Sequence, residues 1–209
     1  LELAQKLTKN KAIISGFPLP YTRANFNSSV DISKKNRKNN KTYPTKQVAS
    51  LRKEGVWSAI RIDFFDNKNN IPEESNVVLG GFIFTYGSIV NDVPYDPDIS
   101  FFGEELCFSA RAWTNGYDIY SPKIPILYHF YKRNGYDKVW NDISSKQISW
   151  REIERISSEK QKRVLCGIES GKYGVGSKRT LEQYEKFVGF NFKEHYNLTN
   201  SNSKSKIEK

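Results

Sequence analysis

The residues able to do chemistry gather between positions 77 and 133. Glu104 and Glu105 follow Gly103 at the start of an apolar-periodic run. Carboxylates can accept a hydroxyl's hydrogen bond, and acidic residues suit the positive end of a helix. At about 100° per residue, Glu104, Phe108 and Arg111 share one helix face, and Leu106, Ala110 and Trp113 another. The second face reads as core. The first places a carboxylate and a guanidinium two turns apart, as one side of a cleft would. Glu105 points about 100° away from Glu104, so the two need not share a task. A surface helix with an acidic first turn is the plainer alternative.

His129 lies in an aromatic stretch, as a metal ligand or as a packed, hydrogen-bonded ring. Lys132 and Arg133 follow it with positive charge where a diphosphate could lie. Gly80 and Gly81 interrupt an apolar run and would let a ligand approach the main chain. Asp96-Pro97-Asp98 has the spacing of an acidic metal pair, or of a turn in which each aspartate bonds nearby amides.

The elements positioning these residues follow from periodicity and punctuation. Residues 1–8 have helical spacing, and 11–15 read as a buried strand. Residues 16–21 break regular structure, and 22–47 form a polar, basic loop with SKKNRKNNK at 33–41. Residues 57–65 alternate as a strand, 66–75 are turn material, and 77–85 are a strand interrupted by two glycines. A loop over 86–103 leads to a helix over 104–115, closed by Asn115-Gly116. Residues 118–130 are strand-like around two prolines. Residues 150–168 form a basic amphipathic helix, 172–178 a glycine loop, and 179–187 a helix with Thr180 as a cap. The tail from 197 is polar, lysine-rich and expected to be disordered, leaving 1–196 as the folded unit.

Hydrophobic residues make up 37% of the 209-residue chain and aromatics 14%, enough for a folded core. The net charge of +10 suits nucleic acid, an anionic surface or nucleotide phosphates. Two cysteines far apart in sequence form neither a disulfide framework nor a zinc pattern, and two histidines leave any metal dependent on carboxylates. No apolar run has membrane length. The chain opens without a methionine, inside a helical pattern, so a longer N-terminus is expected.

Taken in order, the glycine pair, Tyr-Asp turn, Gly-Glu-Glu helix, Arg, Trp, Gly and His with basic residues resemble the second half of a GT-A glycosyltransferase. VPYDP (93–97), FFGEEL (101–106), ARAWTNGYDIYSP (110–122), YHFYKR (128–133) and YGVGSKRTLEQYEKF (173–187) look like the N-acetylglucosaminyltransferases that include protist cytoplasmic enzymes modifying hydroxyproline on a ubiquitin-ligase subunit. A more distant likeness is to the polypeptide N-acetylgalactosaminyltransferases. Their Gly-Gly strand, Gly-Glu helix, Ser-x-Arg-x-Trp run and metal-binding histidine fall on Gly80-Gly81, Gly103-Glu104, Ser109 to Trp113 and His129.

The resemblance implies an α/β GT-A-like fold: a partial Rossmann-like mixed sheet flanked by helices. It implies a UDP-sugar donor such as UDP-GlcNAc, a divalent metal such as Mn²⁺, a protein or glycan acceptor, a cytoplasmic setting and retention of anomeric configuration. His129 would be a metal ligand, with Lys132 or Arg133 on phosphate oxygens and Gly80-Gly81 bordering the donor sugar. Glu104 would bond the sugar or position the acceptor hydroxyl. Glu105 and Arg111 would orient that site, as an ion pair in one version, and Asp96 would lie on the donor side. The Asp-x-Asp motif and nucleotide-binding half expected N-terminal to this region have no equivalent in 1–76, where Asp63-Phe64-Phe65-Asp66 has the wrong spacing. The chain is therefore expected to be the acceptor-side part, weakly active or inactive alone. Two other classes stay open: a non-catalytic homologue, and a basic nucleic-acid or anionic-surface binder using 33–41 and the helix at 150–168. No nucleic-acid recognition motif supports the latter.

Overall fold

A computed structural model describes residues 11–16, 18–20, 47–51, 58–62, 72–101, 103–122, 126–131, 135 and 149–196. The helix expected over 1–8, the basic loop and the tail fall outside these, as do Lys132 and Arg133.

The strands are β1 (Ala12–Ser15), β2 (Leu19–Pro20), β3 (Gln47–Leu51), β4 (Ser58–Ile62), β5 (Glu73–Ser75), β6 (Ile83–Thr85), β7 (Asp118–Ser121) and β8 (Tyr128–His129). The helices are α1 (Ile89–Asp92), α2 (Glu104–Thr114), α3 (Trp150–Leu165), α4 (Leu181–Val188) and α5 (Phe192–His195), with a 3₁₀ turn at Gly171–Tyr173. A four-stranded sheet runs β5-β7-β1-β6. β1 pairs parallel with β7 and antiparallel with β6, and β5 pairs antiparallel with β7. This mixed sheet flanked by helices is consistent with a partial GT-A-like fold, as expected. β2 pairs parallel with β8, and β3 antiparallel with β4.

The core has two halves around α2. One packs Leu106, Cys107 and Ala110 against Val164, Leu165, Leu181, Tyr184 and Phe192 of α3, α4 and α5. The other packs Phe108 and Ala112 against Ile13, Val78, Ile119 and Tyr117 on the sheet side. Trp113 touches both halves. The helix is therefore buried nearly all round beyond its first turn. This corrects the two-faced reading: Phe108 is as much core as Leu106.

Helix boundaries follow the capping chemistry. Ser149 accepts the Glu152 amide at the start of α3, and Thr180 and Gln183 form a reciprocal capping box at α4. Asn115 ends α2 and Gly116 follows at φ +89°.

The expected strand over 77–85 is present only from Ile83. Residues 77–79 are buried but outside the ladder. Two side chains take their amides: Val78 N–H donates to Ser109 Oγ (2.7 Å) and Leu79 N–H to Ser15 Oγ (2.6 Å), while Ser15 Oγ donates back to Leu79 O (3.0 Å). The hydroxyls satisfy the buried main chain without a neighbouring strand. Conversely, Glu73–Ser75, expected as turn, is the sheet's β5, held by pairing with β7 that no local signal encodes.

Candidate active site

The chain turns at Gly80-Gly81 directly against the start of α2. Gly80 N–H donates to Glu105 Oε1 at 2.6 Å. Gly81 is set by close approach: a Cβ there would lie 2.5 Å from Pro18 Cδ. The helix start also depends on a glycine. Gly103 is left-handed at φ +81°, and a Cβ would overlap the Gln161 side-chain amide, which is buried on α3. The two glycines thus seat the turn and the acidic helix end at the same place.

Glu104 and Glu105 differ in their environments. Glu105 has the Gly80 amide to offset its burial, although burial still holds its carboxyl above the ordinary value. Glu104 Oε2 is buried with no hydrogen-bond partner. Burial, and then the charge of Glu105, push the Glu104 carboxyl up to about 7. Backbone amides of Glu104 and Glu105 offset only part of this. A carboxyl oxygen left without a partner is one that a ligand hydroxyl could satisfy.

Aromatic rings surround this pair. Tyr95 stacks on Phe108 with ring centroids 4.8 Å apart. Burial, Glu104 and Glu105 together raise its phenol. Tyr131 also feels Glu105, after the larger effect of burial, and donates its hydroxyl to Pro18 O at 3.0 Å. His129 sits 4.2 Å from the Tyr131 ring, on β8 in register with Pro20. The structure therefore brings Gly80, Gly81, Glu104, Glu105 and His129 into one neighbourhood, linked through Pro18 and Tyr131.

Arg111 and Asp96 are placed differently from expectation. Arg111 is 2% exposed, and its guanidinium donates to Pro94 O (2.7 Å), Lys172 O (3.0 Å) and Gly174 O (3.4 Å). It binds the loop before α2 to the 172–174 loop, so the expected ion pair with Glu105 gives way to three carbonyl bonds. A carbonyl clamp uses the planar fork of arginine as fully as a carboxylate would. Asp96 is also buried: Oδ1 accepts the Asp98 amide at 3.1 Å and Oδ2 lies 3.5 Å from Lys160 Nζ. The turn reading of Asp96-Pro97-Asp98 describes this geometry, with Lys160 facing both carboxylates.

Sequence reasoning missed Lys160, Tyr95 and Tyr131 as parts of the site's framework. Lys160 lies on α3 and reaches Glu169 (2.9 Å), Asp96 (3.5 Å) and Asp98 (4.0 Å). Burial opposes its charge, but these carboxylates outweigh it and raise its pKa. On the same helix Arg155 pairs with Glu152, and Arg163 reaches Glu169 beyond the helix end. Much of the helix's positive charge is therefore already paired, which weakens the polyanion-binding alternative on this side. For Tyr95, the available signal was an aromatic inside a Pro/Asp turn, where burial alone does not call for one.

Among the described residues, no group of three or more His, Cys, Asp or Glu could hold a metal ion. His129 is a single candidate ligand among them. Also among the described residues, no helix is long and apolar enough to cross a membrane.

The mixed sheet flanked by helices is consistent with a partial GT-A-like fold. The family model for glycosyltransferase (GlcNAc) matches residues 2–194, and the chain belongs to that family of N-acetylglucosamine transferases. No curated protein matches the chain.

Proposed function

We propose that the Gly80–Gly81 turn and the start of α2 form the sugar-facing wall of a transferase that moves N-acetylglucosamine from UDP-GlcNAc to a hydroxyl on a protein or glycan. One observation carries this reading: Glu104, whose Oε1 lies beside Gly80, keeps Oε2 buried with no hydrogen-bond partner. A sugar or acceptor hydroxyl donated to that oxygen would replace the solvation it has lost. Glu105, held by the Gly80 amide, keeps the turn against the helix. Arg111 fixes the loop carrying Tyr95 and acts as a positioning residue. The expected retention of anomeric configuration requires no general base on the opposite face.

A divalent cation, Mn²⁺ by expectation, belongs to the same reading. His129 would offer one imidazole to it, and the chemistry such an ion would supply is charge neutralisation of a diphosphate. Lys132 and Arg133, outside the described residues, are the expected phosphate contacts.

Saturation-transfer NMR with UDP-GlcNAc, UDP and free N-acetylglucosamine, with and without Mn²⁺, tests the reading. Transfer to the N-acetyl methyl and pyranose protons is expected, weakened at least several-fold in Glu104→Ala. Absence of sugar signals in the wild-type chain under every condition refutes the proposal.

A further inference from the structure

Tyr95 is 52% exposed, yet it is held from below and on both sides. Its ring lies on Phe108 at an interplanar angle of 18°. Phe108 is itself 5% exposed and belongs to the sheet-side core. The preceding carbonyl, Pro94 O, accepts from Arg111, and the following residue, Asp96, is tied down by the Asp98 amide and Lys160. An exposed aromatic on a mobile loop would have none of these anchors. The ring is therefore a fixed apolar plate over Phe108, one helical turn from Glu104.

A flat, immobile ring near an unsatisfied carboxyl oxygen, Glu104 Oε2, matches the two faces of a pyranose. Its axial C–H bonds meet the negative face of an aromatic ring, while its equatorial hydroxyls donate to carboxylates. We propose that Tyr95 is the stacking platform for a pyranose ring whose hydroxyls reach Glu104, making it a specificity-determining residue for sugars over non-carbohydrate ligands. This inference rests on the sugar-site reading above. The pyranose can be that of the donor or of a glycan acceptor, and stacking is required of it in either case. The Tyr95 hydroxyl plays no part in the stacking.

The test compares wild type, Tyr95→Phe and Tyr95→Leu by calorimetry against UDP-GlcNAc, UDP and an N-acetylglucosamine oligosaccharide. Tyr95→Leu is expected to weaken sugar binding on the order of tenfold, and Tyr95→Phe less than twofold. Loss toward UDP-GlcNAc with UDP unchanged assigns the donor sugar. Loss toward the oligosaccharide alone assigns the acceptor. Unchanged sugar binding in Tyr95→Leu overturns the inference and leaves the sugar-site reading intact. An equal loss in Tyr95→Phe overturns stacking in favour of the hydroxyl. If the wild type binds no sugar, the sugar-site reading falls and takes this inference with it. Should Tyr95→Leu fail to fold, wild-type protein with ¹³C-labelled tyrosine rings replaces it. Intermolecular NOEs from pyranose ring protons to Tyr95 are then expected, and their absence overturns the inference.

Discussion

The raised carboxyl of Glu104 should leave its mark on folding, and Glu104→Gln exposes it. In an unfolded chain this carboxyl loses its proton near 4.5, whereas in the folded protein it holds it to about 7. Between those values the folded state carries more protons than the unfolded one, so stability falls as pH rises through that window. The contribution is complete below about 4.5 and gone above about 7. At 1.36 kcal/mol per pKa unit the interval corresponds to about 3 kcal/mol, and partial solvent access to the residue reduces this to about 1–2 kcal/mol. Glutamine keeps the shape and cannot ionise. Urea unfolding of both proteins at pH 5, 6, 7 and 8 measures the difference. The variant should gain about 1–2 kcal/mol on the wild type between pH 5 and pH 8, with an unchanged denaturant slope. A difference that stays flat across pH, or that favours the wild type increasingly toward pH 8, refutes the reasoning: Glu104 would then have a partner for its charge.

Two substitutions probe the frame that holds the acidic pair. Gly103→Ala places a Cβ in a left-handed residue and against buried Gln161, and should cost about 2–4 kcal/mol in urea unfolding; a loss below about 0.5 kcal/mol would mean that the helix start shifts freely. Arg111→Lys cannot bridge Pro94, Lys172 and Gly174 with one ammonium, and should cost about 2–4 kcal/mol and weaken sugar binding at temperatures where the variant is still folded. Stability lost with sugar affinity intact would remove the positioning role.

Local chemistry made much of this architecture legible. α2, α3 and α4 were set by apolar periodicity and by caps, and Gly103-Glu104-Glu105 marked a helix start that the structure keeps. What was not legible depended on distant partners. Residues 77–79 have the composition of a strand, but Ser15 and Ser109 take their amides from elsewhere in the chain. Glu73–Ser75 carry no strand signal and become one by pairing with β7. Arg111 was read from helix geometry as facing a cleft, whereas the 172–174 loop folds over that face and supplies carbonyls. Neither loop closure nor the identity of a carbonyl acceptor is written in periodicity, because every residue has a carbonyl.

The carboxyl that weakens the fold near neutral pH also predicts how a ligand binds. A hydroxyl donated to Glu104 Oε2 stabilises the charged form and lowers its pKa, whereas a ligand acceptor taking the carboxyl proton raises it. Near pH 7 about half of the unliganded molecules hold this proton. Sugar binding through a donated hydroxyl should then release up to about half a proton per site at that pH. Titration calorimetry with UDP-GlcNAc in buffers of different ionisation enthalpy reads the number directly as a slope. The slope should shrink toward zero by about pH 9, where the carboxyl is already charged, and be absent in Glu104→Gln. Proton uptake in place of release would mean that Glu104 donates to its ligand, and the hydroxyl-accepting role argued for it would be wrong.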